Sequence, residues 1–451
     1  MKLTETRKTR RHRMTHVQII VMGFLIMVIS GTALLMLPCA SGDGRSAGLL
    51  TSLFTATSAA CVTGLIRRST SEWSFFGQLV LLILIQTGGL GFMTIASMFF
   101  RLINRRMGLW QRETMVESLN LSKVKGIMEF TRGIIAGTAV IELAGAFLFS
   151  IRFVPLLGWG RGLWYSLFHS VSAFCNAGFD LMGDLPGDGS LTYFAEDWLV
   201  NLTAVLLITV GGLGYLVWDD LKRHRLKTGK YSAHTRMVLT VNTVLLFGGV
   251  IMYFVFESGC TGQGETLPSR AVEALFASAT ARTAGFNSVS VAGMSGASRL
   301  LTILLMFVGG SPGSTAGGIK TTTAAVLLLS SISSVRGSRR PAAFGRSISD
   351  GTVRKATHVF FLNLSLAAAA AVILCALQPL DPTDAFFETI SAVSTVGITA
   401  GITGSLHPVS ACIIALLMFI GRVGSVSFAV ALAEKHKRPP VSSPAAEILI
   451  G

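Results

Sequence analysis

Four segments of the chain share one spacing, and each ends in a glycine flanked by long apolar stretches. They read Phe54-Thr-Ala-Thr-Ser-Ala-Ala-Cys-Val-Thr-Gly64, Phe168-His-Ser-Val-Ser-Ala-Phe-Cys-Asn-Ala-Gly178, Leu275-Phe-Ala-Ser-Ala-Thr-Ala-Arg-Thr-Ala-Gly285 and Phe387-Glu-Thr-Ile-Ser-Ala-Val-Ser-Thr-Val-Gly397. Ten residues before the glycine stands Phe, Phe, Leu and Phe; six before it stands Ser, Ser, Ala and Ser. A step of 24 residues from Gly64 reaches Gly88-Gly-Leu-Gly91; the same step reaches Gly309-Gly310 from Gly285 and Gly421-Arg-Val-Gly424 from Gly397. The second segment needs 33 residues to reach Gly211-Gly-Leu-Gly214, which the extra Gly183–Thr192 stretch explains. Glycine is common here, with 48 in the chain, but chance hardly supplies two marks at a shared offset. Four copies of one unit are therefore expected.

The apolar flanks decide where those copies sit. Only 14% of the 451 residues are charged, 51% are hydrophobic and the mean hydropathy is +0.62, whereas soluble domains carry about 25% charged residues. Eight stretches approach the roughly 20 residues a membrane helix needs: Val17–Leu37, Phe75–Phe100, Ile134–Leu156, Leu199–Trp218, Met237–Phe256, Leu300–Leu329, Val359–Leu377 and Val409–Leu432. The first is too long for a signal-peptide core and lacks a small-residue cleavage site, so it is expected to stay as an anchor. The expected fold is an all-α polytopic membrane protein of four tandem helix–pore-loop–helix repeats in pseudo-fourfold arrangement, with eight transmembrane helices and four re-entrant pore helices. The expected boundaries are a basic stub over 1–15, repeats over 16–105, 106–225, 226–340 and 341–438, and a C-terminal tail over 439–451.

The net charge of +15 raises nucleic acid or anionic lipid as partners. Its distribution argues otherwise, because 27 of the 38 Lys/Arg lie in alternate loops or termini: before the first span and within 101–125, 222–236, 336–355 and 435–438. That positive-inside pattern predicts a multi-pass protein of the cytoplasmic membrane with both termini in the cytoplasm. Membrane lipid headgroups fit those loops, and no nucleic-acid role is expected. The six cysteines show neither metal-ligand nor disulfide spacing.

Irregular backbone survives at membrane depth only where it is buried in protein or lines a cavity. Four loops at one depth can turn carbonyls inward to replace an ion's water shell, and glycine permits the conformations this needs. The filter stretches are thus Val62-Thr63-Gly64, Asn176-Ala177-Gly178, Thr283-Ala284-Gly285 and Thr395-Val396-Gly397. Polar residues near the outer starts of the re-entrant helices (Thr51, Ser52, Ser269, Glu273, Asp381 to Asp384) suit first turns and caps. The partly negative C-terminal ends would then face the cation.

The sixth span is interrupted by Gly309-Gly310-Ser-Pro312-Gly313-Ser314-Thr315-Ala316-Gly317-Gly318-Ile-Lys320, which cannot continue a regular helix. A polar break at that depth is expected to line the cavity as a mobile constriction below the filter. A phosphate-loop reading fails on Ile319 at the lysine position and on the lack of a preceding strand. Arg422, in the last span, is expected to bond the loop around Gly313–Gly318 and hold the pore shut, since a central arginine needs a wet or carbonyl environment. Lys320 adds a similar barrier or snorkels to the cytoplasm. Arg282 and Glu388 are expected to brace the filter by pairing with each other or with backbone. Glu142 reads either as a functional intramembrane acid or as an interhelical contact, His169 as a packing or hydrogen-bonding residue, and Asp180 and Asp184 as solvated acids at the outer mouth.

The loops "CVTGL", "CNAGFD", "RTAGFN" and "STVGIT" resemble those of the Trk/Ktr/HKT superfamily of potassium transporters over nearly the whole chain, most closely its Ktr-type membrane subunit. The resemblance implies K⁺ uptake through a gated filter, and an intramembrane loop of the third unit acting as the gate. Glycine in all four loops, Gly64 included, is that family's potassium-preferring pattern. The resemblance also implies a homodimer, with the C-terminal Glu447-Ile-Leu-Ile-Gly451 near its interface. A cytosolic RCK/KTN-type regulatory ring would carry ATP/ADP or NAD, with no cofactor in this chain and K⁺ as cargo. The alternative is a secondary transporter of Na⁺ or ammonium, but such carriers usually show inverted repeats, whereas these copies all run in one orientation. No HExxH, nucleophile elbow or paired intramembrane Asp/His set is found, so no enzyme is expected.

Overall fold

The computed structural model describes residues 15–91, 94–95, 109–118, 126–186, 190–225, 227–257, 267–288, 291–338, 340–425 and 428. The stub, the C-terminal tail and the inner ends of the second and eighth expected spans (Phe100, Leu432) fall outside these residues. The chain begins with α1 (His16–Leu35), α2 (Leu49–Cys61) and α3 (Phe75–Leu90), followed by α4 (Leu109–Ser118). Next come α5 (Ile127–Leu157), α6 (Trp159–Cys175), α7 (Trp198–Gly212) and α8 (Tyr215–His224). The second half holds α9 (Ala233–Phe256), α10 (Leu267–Thr280), α11 (Gly296–Phe307), α12 (Thr321–Val335), α13 (Asp350–Leu377), α14 (Pro382–Val393) and α15 (Pro408–Val423). Between α12 and α13 lies a hairpin that the all-α expectation lacks: β1 (Ala342–Ala343) pairs antiparallel with β2 (Arg346–Ser347). Its two-residue turn holds Phe344 and Gly345 at positive φ, the geometry such turns require.

Helices α1, α5, α9 and α13 are long and apolar enough to cross a bilayer unaided. Along their middle turns the exposed residues are mostly apolar. On α5, Val140, Leu143 and Phe147 are 67%, 63% and 68% exposed, while Glu142, Gly145 and Phe149 of the same turns are buried. A soluble protein rarely shows so large an apolar surface; lipid is its natural solvent. By contrast α2, α6, α10 and α14 have 13, 17, 14 and 12 residues, about 18–26 Å at 1.5 Å per residue, against a core of about 30 Å. They are too short to cross it unaided. Three of the marks ten residues before the glycines, Phe54, Phe168 and Phe387, are fully buried and anchor these short helices.

The helices that follow the short ones start on side-chain caps, and three of the four end at or next to a glycine. Ser74 Oγ accepts the Gly77 N–H at 3.2 Å, Asp197 those of Leu199 and Val200 at 2.9 and 3.2 Å, Ser295 Oγ that of Ser298 at 3.1 Å, and His407 Nδ1 that of Val409 at 3.3 Å. Gly91 (φ +85), Gly214 (φ +92) and Gly424 (φ +96) stand three residues after the marks Gly88, Gly211 and Gly421, in a conformation that no ordinary helical residue adopts. The expected fourth span therefore bends: α8 leaves α7 at 95°. Gly48 and Gly158 stand at the caps of α2 and α6, with Thr51 and Ser52 in the first turn of α2, and Asp381 caps α14, accepting the Thr383 and Asp384 amides at 2.7 and 3.4 Å. The Thr383 amide, aided by that of Asp384, holds its carboxyl below the usual carboxylate range.

Candidate functional site

The four short helices run toward one another and end alike. Two residues before each marked glycine, Val62, Asn176, Thr283 and Thr395 take left-handed φ values of 57°, 57°, 77° and 51°. Three of these are β-branched, for which this region is costly, on the order of 1–3 kcal/mol each. Hydrogen bonds hold the turns: Thr63 N–H to Ser58 O at 2.8 Å, Ala177 N–H to Ser172 O at 2.8 Å and Val396 N–H to Ser391 O at 2.9 Å, with Ala284 N–H using Thr280 O at 3.0 Å in the third. The serine mark six residues back acts here as well. Ser58 and Ser391 Oγ accept the N–H of Gly64 and Gly397 at 3.0 and 3.1 Å, and Ser172 donates to Phe179 O at 2.7 Å. The third unit has Ala279 at that place, and Thr280 donates to Phe286 O at 2.5 Å instead.

The four turns meet. A Cβ on Gly64 would lie 2.5 Å from Ala177 O, one on Gly178 2.8 Å from Ala284 O, one on Gly285 2.5 Å from Val396 O, and one on Gly397 2.0 Å from Thr63 O. The fourth contact returns to the first turn, so the circuit closes with each glycine against the carbonyl that precedes the next. The twelve expected filter residues are all buried in this ring. Glycine is required at each place twice over, by φ values of 94°, 68°, 80° and 96° and by the neighbouring oxygen.

The second marks pack behind the ring. A Cβ on Gly88, Gly211 or Gly421 would lie 2.0–2.1 Å from Ala60 O, Phe174 O or Val393 O, each four residues before its unit's glycine. Gly309 departs: its nearest oxygen is that of Gly317, 2.5 Å from such a Cβ. The chain over 308–320 thus folds back on itself, with Gly309 N–H donating to Ile319 O at 2.9 Å and Thr321 N–H to Gly310 O at 3.1 Å. It also leans on its neighbours. Ser311 and Thr315 N–H donate to Gly212 O and Gly211 O at 3.0 and 3.4 Å, and Tyr215 N–H to Gly313 O at 2.8 Å, which is why the chain turns sharply after α7. A Cβ on Gly317 would strike Thr395 Oγ1 of the fourth turn, 1.9 Å away. Gly318 packs on Ser394 of the same turn and Thr315 Oγ1 donates to Phe174 O of the second pore helix, whereas Pro312 lies by Gly214, Ala316 by Gly310, and Ser314 Oγ donates to Ser311 O.

Arg422 crosses this space. Its guanidinium donates to Thr315 O in the loop and to Gly88 O and Gly89 O in α3, the last at 3.2 Å. Lys320 does not snorkel; its Nζ donates back to Ala316 O and Gly317 O at 2.6 and 3.3 Å. Arg282 and Glu388 do not pair with each other. Arg282 donates to Asn242 Oδ1 and O at 2.7 and 3.3 Å, and Glu388 accepts from Thr399, Thr403 and the Ala400 amide. Glu142 makes an interhelical contact with Gln86 Nε2 at 3.1 Å. His169 Nδ1 lies 2.7 Å from Tyr165 O, and Asp184 pairs with Arg161 rather than standing free. Asp180 Oδ1 accepts the Met182 N–H at 3.1 Å.

Asn242 was not singled out from the sequence. Its Nδ2 donates to Ser311 Oγ at 3.0 Å while its oxygen takes Arg282, so one amide joins the third turn to the loop below it. An amide in mid-span was the available signal. Among the described residues no His/Cys/Asp/Glu group could hold a metal ion.

The sequence profile of the family "TrkH: Cation transport protein" matches residues 1–442. The chain is 40% identical to the potassium/sodium uptake protein NtpJ of Enterococcus hirae, over 97% of each chain. It is 37% identical to the Ktr system potassium uptake protein B of Bacillus subtilis over 97% of each, and 35% identical to that of Vibrio alginolyticus over 92% of this chain and 91% of the relative. The crystal structure of the potassium transporter TrkH from Vibrio parahaemolyticus superposes with a TM-score of 0.75 at 17% identity, covering 95% of this chain and 87% of that one. That superposition establishes a shared fold.

Proposed function

We propose that this chain, which belongs to the TrkH family of cation transport proteins, carries K⁺ through the ring of four glycine turns. The chain is a multi-pass membrane transporter and not an enzyme, and potassium transport agrees with the potassium uptake proteins it matches. The observation that carries the finer reading is the closed circuit of Gly64, Gly178, Gly285 and Gly397 against carbonyls of the next turn. Backbone oxygens there stand in for the water that a potassium ion sheds. The C-terminal ends of α2, α6, α10 and α14 add partial negative charge at the same place. No carboxylate ring is needed.

The loop over 308–320 is the gate in this reading. It lies against the ring, and Arg422 ties it to α3 by carbonyls on both sides. A guanidinium in the path repels entering cations as well as holding the loop, and Lys320 stiffens the loop from within. Flux opens when that tie is released. The four units are quasi-equivalent about one axis, the termini are cytoplasmic in the cytoplasmic membrane, and a second copy of the chain and a cytosolic nucleotide-binding ring complete the assembly; alternate basic loops and the family support this part.

A second reading has the same path carry Na⁺ as well, which the likeness to the potassium/sodium uptake protein of Enterococcus hirae favours. One experiment addresses both. A potassium-uptake-deficient bacterium is complemented with wild type or Gly64→Ser, with and without a regulatory subunit. Wild type is expected to restore growth at low K⁺, and Gly64→Ser to lose K⁺ preference, because a side chain at φ +94 meets Ala177 O. Equal growth with both variants, or with neither, defeats the ring as the filter; growth relieved equally by Na⁺ selects the second reading.

A further inference from the structure

The position nine residues before each ring glycine is Thr55, His169, Phe276 and Glu388. In two of the four units it grips the chain that leaves the ring. His169 Nε2 accepts the Leu181 N–H at 3.3 Å, which puts the proton on Nδ1, donating to Tyr165 O at 2.7 Å. The Glu388 carboxylate accepts the Ala400 N–H at 3.4 Å, the Thr399 hydroxyl at 3.0 and 3.2 Å, and the Thr403 hydroxyl. Leu181 and Ala400 both stand three residues after their glycines. One helix position therefore holds one downstream backbone amide in both units, by two unrelated side chains.

The other two units lack the grip. Thr55 Oγ1 is buried without a hydrogen-bond partner among the described residues, and Phe276 has no polar atom to offer. The circuit runs Gly64, Gly178, Gly285, Gly397 and back, so the gripped turns face each other across the axis, and so do the ungripped ones. His169 and Glu388 are fully buried, at 0% exposure, where a hydrogen bond is not exchanged with water.

We propose that His169 and Glu388 are positioning residues for ion selectivity, which fix the outer exits of two facing turns so that the ring acts as a twofold clamp. This rests on the ring being the ion path. Selectivity by an oxygen cage depends on how firmly its walls resist a change of radius, and here the chain three residues beyond the glycine is tied back to its own pore helix from this position in two walls and not in the other two. Neither side chain touches the ion; each acts through backbone.

The test is ⁸⁶Rb⁺ uptake into liposomes holding the purified full chain, measured against rising K⁺ and Na⁺ to give a K⁺-over-Na⁺ preference. Glu388→Ala and His169→Ala are expected to lower the preference about tenfold, the loss of a hydrogen bond to a charged or buried group. Glu388→Gln and His169→Gln keep an acceptor oxygen and are expected within about threefold of wild type. Thr403→Val removes one of the bonds that hold the Glu388 carboxylate in place and is expected to shift the preference in the same direction as Glu388→Ala by a smaller factor, which keeps the test open if that variant does not fold. Thr55→Ala, the same position in an ungripped turn, is expected to leave it unchanged. An unaltered preference in His169→Ala and Thr403→Val, or an equal loss in Thr55→Ala, overturns the proposal. Gly64→Ser in the same assay separates the two claims: if it shifts the preference and the grip variants do not, the ring stands and the clamp falls, while no shift in any variant removes both.

Discussion

The ring and the loop beneath it are made of the same material, glycine and irregular backbone, but they follow opposite rules. In the ring, four turns repeat one geometry: a left-handed residue, a small step and a glycine against the next turn's carbonyl. Below it, three inner helices back onto their own pore helices through Gly88, Gly211 and Gly421, and one does not. The third helix stops at Phe307, and its Gly309 faces the returning loop at Gly317. In the proposed reading, symmetry sets four oxygens around an ion, and departure from it sets the gate in the path. A device that must select repeats itself, and a device that must open is present once.

The largest expected effect comes from breaking the repeated part. Gly397→Ala puts a Cβ 2.0 Å from Thr63 O at φ +96, and uptake of ⁸⁶Rb⁺ is expected to fall about a hundredfold or more, given backbone strain of on the order of 1–3 kcal/mol added to a backbone clash. Folded protein with wild-type uptake would show that the fourth turn does not close the ring. Next is Arg422→Ala. It removes the tie between Thr315 O and the α3 carbonyls, and basal flux without a regulatory partner is expected to rise about tenfold, the worth of a charged hydrogen bond; unchanged flux and regulation take Arg422 out of the gate.

Thr315→Val tests the contrast more gently. Thr315 Oγ1 donates to Phe174 O at 3.2 Å, fastening the loop to the second pore helix. Losing one neutral hydrogen bond of about 1 kcal/mol is expected to raise basal flux about twofold to fivefold without altering K⁺-over-Na⁺ preference. A change of preference would mean that loop and ring are one device. The smallest effect is expected at the outer end of α14. Asp381→Ala removes a cap whose folded carboxyl titrates below its ordinary value, so the cap stabilises the protein above the ordinary carboxylate range and ceases to as pH falls through the lower folded value. A thermal melt should show a small loss at neutral pH that vanishes in acid, with ion preference intact. A loss that persists in acid assigns the effect to something other than the carboxylate.

Much of the repeated part was legible in the sequence because symmetry writes itself at fixed spacing. Glycine at positive φ is demanded in all four turns by one local geometry, and the serine six before it and the buried phenylalanine ten before it recur in three of them. The 24-residue mark was readable as well, since Gly88 and Gly421 must let a pore-helix carbonyl approach. The bend after α7 is written in the same motif, since Gly214 matches Gly91 and Gly424, but the apolar stretch Leu199–Trp218 runs through it because hydropathy does not register a turn. Side-chain partners were less legible. Arg282 meets Asn242 and Glu388 meets Thr399 and Thr403, because a buried charge takes the nearest donors or acceptors that the packing brings, and sequence distance carries no record of that. The contact of Glu142 with Gln86, 56 residues away, is of the same kind. Lys320 had two open fates, and the carbonyls of its own loop, closer than the membrane surface, decided between them.

The most direct measurement is the position of a heavy potassium substitute in the intact protein. Anomalous diffraction from crystals grown in Rb⁺ should place a peak on the axis enclosed by Gly64, Gly178, Gly285 and Gly397, within coordinating distance of backbone oxygens from all four turns. Bound Rb⁺ found only elsewhere, or coordinated by fewer than the four turns with the rest standing apart, contradicts the account.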